Sequence, residues 1–120
     1  MKNVLVTGAN KGIGRAICLK LLRDFPDIHV LLASRSVERG IDAANTILSE
    51  VGTEMTTRIQ VIHLDVTDDH SIAQAVADVR SKFPTLASPL YGLINNAGIG
   101  TSEDPQMVVK TNVSAVKHMC

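Results

Sequence analysis

The sequence predicts an α/β protein built on a doubly wound parallel sheet. Three observations carry that expectation. Short runs rich in Val, Ile and Leu alternate with longer segments whose apolar residues recur at three and four positions. The first run, in "VLVTGANKGIG" (4–14), breaks into glycines and then turns helical. Aromatic residues are scarce, only Phe25, Phe83 and Tyr91 with no Trp. The interior must therefore be Val, Ile, Leu and Ala, as in a parallel sheet buried on both faces.

Each element has its own signal. Asn3 to Thr7 is a β-branched, apolar strand ending at Gly8. Gly12 to Phe25 is a helix stopped by Pro26, with Ile13, Ile17 and Leu21 expected on its inward face at spacing four. "IHVLLA" (28–33) is the second buried strand. Ser36 can cap a helix over Val37 to about Val51, with Ile41, Ala44 and Leu48 inward and Gly52 as its stop. "RIQVIHL" (58–64) is a third strand. Thr67 or Asp68 can cap a third helix, in which Ile72, Ala75, Val76, Val79 and Phe83 recur before Pro84. "LYGLIN" (90–95) is a fourth strand, with Tyr91 inside it. A last helix begins near Asp104 or Pro105 and carries Met107, Val108 and Val109.

The order is βαβαβαβα, which implies helices on both faces of the sheet. Right-handed crossovers restrict the topology, and strand order 3-2-1-4 is the expectation. That order sets the loops after strands one and four side by side where the winding reverses, the place where such sheets bind ligands. The fold is in this sense Rossmann-like.

The 120 residues suffice for one domain, 1–120. Twelve basic residues balance twelve acidic ones, and no basic run or stripe suggests nucleic acid. No apolar stretch nears the roughly 20 residues of a membrane span. Met1-Lys2 leads straight into a strand with no cleavage signal. Cys18 and Cys120 lie far apart and form no metal motif, and His29, His63, His70 and His118 do not cluster. The expectation is a reduced, cytoplasmic protein with no metal, no nucleic acid and no membrane partner.

Gly8, Gly12 and Gly14 follow a G-x-x-x-G-x-G spacing between strand one and helix one. Gly8 permits the tight turn, Gly12 lets backbone approach a pyrophosphate, and Gly14 lets the helix pack closely. The helix start then offers N–H groups and partial positive charge to a phosphate. The alternative is an ordinary βα turn. An NAD site places an acidic residue about 20 positions on, to take the ribose 2′-hydroxyl. Here that position is Ser34 in "ASRS", with Arg35 next. An arginine fork suits a 2′-phosphate, through charge-assisted bonds worth roughly 1.5–3 kcal/mol. Lys11 adds positive charge nearby, so NADP is favoured over NAD; otherwise both cations are merely solvated. Asp65 in "HLDVTDD" ends strand three beside the expected adenine position and either accepts from the adenine amino group or caps its own loop. "NNAG" (95–98) ends strand four with two asparagines, whose amides can satisfy loop backbone groups.

Together "TGANKGIG", "LDVTD", "NNAG" and "KTNV" resemble the short-chain dehydrogenase/reductase family, in particular its carbonyl-reductase-like members. The resemblance covers the whole chain and only the N-terminal half of a typical family domain, so the sheet is expected to be incomplete. It implies an NADP(H)-dependent oxidoreductase acting on small-molecule carbonyl or alcohol groups. By resemblance Thr7, Gly8, Asn10, Lys11, Gly12, Ile13 and Gly14 form the pyrophosphate loop. Ser34 and Arg35 hold the 2′-phosphate, and Asp65 and Val66 flank the adenine. Asn95, Ala97 and Gly98 support the sheet and nicotinamide ribose. Asn112 matches the asparagine of the family's catalytic tetrad. Two departures stand out. The stretch from Gly98 to Asn112 is short for carbonyl reductases, and the family's Ser and Tyr-x-x-x-Lys are missing. Tyr91 is followed four residues on by Asn95, not lysine. No turnover is expected from these residues alone, because carbonyl reduction needs a positioned acid as well as a hydride. The competing readings are a non-catalytic NADP-binding regulatory or sensor module, and a fragment that binds nothing well.

Overall fold

The computed structural model describes residues 1–86 and 89–96. In chain order these form β1 (Lys2–Val6), α1 (Gly12–Asp24), β2 (Ile28–Ser34), α2 (Val37–Val51), a 3-10 helix (Thr53–Arg58), β3 (Ile59–His63), α3 (Asp69–Lys82) and β4 (Gly92–Ile94). The expected last helix lies outside the described residues.

The sheet order is β3-β2-β1-β4, and every pair is parallel. Val4 stands opposite Val30 and Val6 opposite both Leu32 and Ile94. Ser34 stands opposite His63. All four strands thus end along one edge, which positions everything that follows. Strand alternation splits the core in two. Val4, Val6, Val30, Leu32 and Ile59 pack with Cys18, Leu22, Ala43 and Ile47 of α1 and α2. Leu5, Leu31, Ala33 and Ile62 pack with Ile72, Ala75 and Val79 of α3. β2 is buried along its whole length, as a strand covered by helices on both faces must be.

Two inward faces differ from the sequence expectation. On α1 the buried residues are Gly14, Cys18 and Leu22, while Ile13 is 73% exposed and Ile17 and Leu21 are only partly buried. The cause is Gly14. A Cβ there would lie 2.5 Å from the Gly8 carbonyl oxygen, so this glycine must face the loop, and positions four and eight on follow it inward. On α2 the buried set is Gly40, Ala43, Ala44 and Ile47, while Ile41 is exposed and Leu48 partly buried. Gly40 sets that phase: a Cβ there would lie 2.8 Å from Val61 Cγ1. α3 follows its expected face, with Val76 and Phe83 joining the cluster as partly buried members.

Three further corrections concern β3 and β4. Arg58 belongs to the 3-10 helix, not to the strand, because its side chain turns inward. The guanidinium donates to the Ile28 carbonyl (3.1 Å), the Leu22 carbonyl (3.3 Å) and the Phe25 carbonyl. It thereby ties the C-terminal end of α1 to the start of β2, adding a donor to carbonyls there, one of which, Phe25 O, also accepts from Ile28 N–H (3.2 Å). β4 has three residues rather than six, and Tyr91 stands just ahead of it, 67% exposed. Its backbone N–H donates to Asn3 O (2.8 Å) and Lys2 Nζ lies 4.9 Å from its ring centroid.

Candidate functional site

The loop between β1 and α1 leaves the sheet at its carboxyl edge. Gly8 and Gly12 both have φ near +59°, the left-handed region that glycine enters without steric cost. Gly8 turns the chain out of the strand. The buried Ala9 follows, and its N–H donates to Ala33 O at the end of β2 (3.0 Å). Lys11 and Gly12 are exposed, and a Cβ built on Gly12 would meet nothing within 4 Å. Gly14 faces the opposite condition. A Cβ there would fall 2.5 Å from Asn96 Nδ2 as well as from Gly8 O. One glycine thus leaves the loop open toward solvent and the other seats the helix.

The three helices begin differently. Ser36 Oγ accepts from Arg39 N–H (3.3 Å) at the start of α2, and Asp68 Oδ1 accepts from His70 N–H (3.0 Å) at the start of α3. α1 has Lys11 at its cap position, no side-chain cap bond and no acid in its first turn. Its leading N–H groups keep their partial positive charge for another acceptor.

β4 delivers the second half of the site. Thr7 is buried, and its hydroxyl accepts from Asn96 N–H (3.0 Å) and donates to Asn95 Oδ1 (3.3 Å). Asn96 Nδ2 donates to the Gly8 carbonyl (3.1 Å). The end of β4 is thus stitched to the glycine loop where strand order reverses. Of the two asparagine amides expected to satisfy loop backbone groups, that of Asn96 does so, while the Asn95 amide oxygen accepts from the Thr7 hydroxyl. Ala97, Gly98 and Asn112 lie outside the described residues.

The rest of the edge is formed by β2 and β3. Ser34 is fully buried, and its hydroxyl donates to Ser36 O (2.8 Å) and accepts from Ser36 N–H (3.3 Å). It shapes the turn that presents the exposed Arg35. Arg39 is exposed in the first turn of α2. Asp65 Oδ1 accepts from Thr67 N–H (3.0 Å) and Thr67 Oγ1 (2.6 Å). Partial burial pushes the Asp65 carboxyl up. The Thr67 bonds and the positive charges of Arg35 and His63 outweigh it and hold the group below the ordinary carboxylate range. The Thr67 bonds form the loop cap that sequence reading offered as the alternative role of Asp65, and they leave Oδ2 outside that pair. Val66 is buried and belongs to the core cluster formed with α3.

Elsewhere the chemistry is quiet. Burial pushes the Cys18 thiol up to about 12, which makes it inert. Among the described residues no three His, Cys, Asp or Glu side chains come together as metal ligands would. No described helix is long and apolar enough to cross a membrane.

A family model described as short chain dehydrogenase matches residues 2–120. The chain is 41% identical over 99 residues to (-)-isopiperitenone reductase of Mentha piperita, covering 82% of this chain and 29% of that protein. It is 36% identical over 124 residues to carbonyl reductase (NADPH) 3 of Homo sapiens, covering 97% of this chain and 41% of the relative. Among solved structures, menthone neomenthol reductase from Mentha piperita superposes with a TM-score of 0.84 at 29% identity, over 98% of this chain and 53% of that one. The chain spans less than half the length of these two curated relatives.

Proposed function

The chain belongs to the short-chain dehydrogenase family, and on that premise we propose that it is the cofactor-binding portion of an NADP(H)-dependent oxidoreductase acting on carbonyl or alcohol groups of small molecules. The observation that carries this reading is the mouth of α1. It is a helix start with no side-chain cap, behind a glycine whose missing Cβ opens on empty space, stitched to the end of β4 at the switch point. Thr7, Gly8, Asn10, Lys11, Gly12, Ile13 and Gly14 frame the diphosphate of the dinucleotide in this proposal. Arg35 meets the adenosine 2′-phosphate from the turn that Ser34 shapes. Asp65 and Val66 flank the adenine. Asn95, Ala97 and Gly98 support the nicotinamide ribose, and Asn112 takes the asparagine role of the catalytic tetrad. Asn96 joins them as the residue that holds the loop to β4.

When bound, the nicotinamide supplies or accepts the hydride. The residues of this chain bind and orient the cofactor. Tyr91 is not the acid that would protonate a carbonyl oxygen. It lies at the amino ends of β1 and β4, across the sheet from the glycine loop. A second reading, a non-catalytic NADP(H)-binding module, shares the same cofactor site, and a cytoplasmic setting is proposed for both. Fluorescence titration with NADPH and NADH tests the shared part of both. Tighter NADPH binding that Arg35→Gln abolishes supports it, and equal affinities unaffected by Arg35→Gln refute it. NADPH oxidation assayed across a panel of ketones on the full-length protein then separates enzyme from module.

A further inference from the structure

We propose that Asp65 sets how strongly the site discriminates phosphorylated from unphosphorylated dinucleotides, by opposing the charge that Arg35 presents. The inference rests on the NADP(H) reading above and adds a residue that works against it.

The two residues leave neighbouring strands at the same edge. Ser34 stands opposite His63, and the ladder continues one step with Leu64 N–H donating to Ser34 O (2.9 Å). Both are held by their own loops. The Ser34 hydroxyl ties the turn after β2 through Ser36. Asp65 is pinned through Oδ1 by Thr67 and through its own N–H to Ser71 Oγ (2.8 Å). Its negative charge therefore has a fixed place. Among the described residues, the ion pairs within 4.0 Å engage neither Arg35 nor Asp65. Their interaction runs through space rather than through contact.

That interaction is reciprocal. Arg35 is one of the charges that hold the Asp65 carboxyl low, so on these neighbouring loops the Asp65 charge in turn opposes the positive potential that Arg35 presents. A 2′-phosphate carries a charge between about −1.5 and −2 near neutral pH. It is drawn by Arg35 and repelled by Asp65. NADH and NADPH share the adenine, both riboses and the diphosphate. Any contact of Asp65 with those groups cancels in the ratio of the two affinities, and only the charge effect survives.

Asp65→Asn removes the charge and keeps an oxygen for both Thr67 bonds. Asp65→Ser removes the charge and keeps a single acceptor, which repeats the test if the first variant folds poorly. Calorimetric titration of the full chain with NADPH and NADH should show the NADPH:NADH affinity ratio rising roughly threefold to tenfold, with the gain shrinking as salt is added. An unchanged or lowered ratio in a folded variant overturns the inference. The two failures separate cleanly. An Arg35→Gln ratio equal to wild type sinks the 2′-phosphate role of Arg35, whatever Asp65→Asn does. A flat Asp65→Asn ratio beside a responsive Arg35→Gln sinks only the role given to Asp65.

Discussion

The two edges of this sheet treat their polar groups in opposite ways. At the amino edge, side chains from distant elements close over the backbone. Arg58 donates to three carbonyls around the end of α1 and the start of β2. Asn3 bridges Pro89 O and His29 Nδ1 (2.8 and 2.9 Å). At the carboxyl edge, α1 begins without a side-chain cap, Gly12 faces open space and Arg35 has no ion-pair partner among the described residues. A buried backbone group must find a partner within the protein, whereas one at a binding edge can keep its capacity for a ligand. The difference teaches where the fold is finished by its own side chains and where it is left for another molecule.

The largest expected effect breaks the closed edge. Arg58→Ala should cost about 3 kcal/mol, because the carbonyls of Leu22, Phe25 and Ile28, in buried or partly buried surroundings, lose the guanidinium at once, although Phe25 O keeps its Ile28 N–H bond. Urea unfolding checks it, and the NADPH:NADH ratio should not move. Next comes a matched pair of glycines. Gly14→Ala and Gly40→Ala both place a methyl group under 3 Å from heavy atoms, so each should lose about 1–3 kcal/mol of stability. Only Gly14→Ala, which pushes against Gly8 O and Asn96, should also weaken dinucleotide binding, by tenfold or more. Equal losses of binding in both variants would show that the carboxyl edge has no special status.

These glycines also explain what the sequence concealed. Strand order, the bounds of α2, the Ser36 cap and the face of α3 could be read because periodicity and punctuation are local signals. The phases of α1 and α2 could not. Spacing favours the large apolar residues Ile13 and Ile41, but the closest approach is made by Gly14 and Gly40, against Gly8 and Val61. Arg58 sat at the head of an apolar run, and nothing in its neighbours announces three carbonyls that come from 30 to 36 positions away. Within the site, the glycine loop and the amide pair were legible as motifs. That Asn96 rather than Asn95 grips Gly8 depends on how β4 registers against β1, which no local pattern records.

A smaller effect sharpens the contrast between helix starts. Lys11→Ser offers α1 the kind of oxygen that Ser36 gives α2, from a backbone already extended at φ −160°. The free protein should gain up to about 1 kcal/mol. Dinucleotide binding should weaken, because the introduced oxygen competes for the same N–H groups and the lysine charge is gone. A variant that binds as tightly as wild type would argue that the open helix start plays no part in recognition.

The smallest effect lies at the closed edge and depends on pH. Asn3 Nδ2 donates to Pro89 O, which turns its Oδ1 toward His29 and places the imidazole proton on Nδ1. His29 Nε2 is then the bare nitrogen, and it is buried without a hydrogen-bond partner among the described residues. Protonation there creates a charge in a buried site. Burial is the main cause that lowers the His29 pKa below 6.5, and the positive N-terminus and Arg58 add to it. The unfolded chain therefore takes up the proton first as pH falls. Stability is complete above about pH 6.5, declines as pH drops from there toward the depressed folded value, and levels off below it. Urea midpoints for wild type should fall across this window, and those of His29→Gln should lose that component of the slope. The same midpoints measured with saturating NADPH should keep the slope, because the titrating group stands at the edge away from the proposed cofactor site.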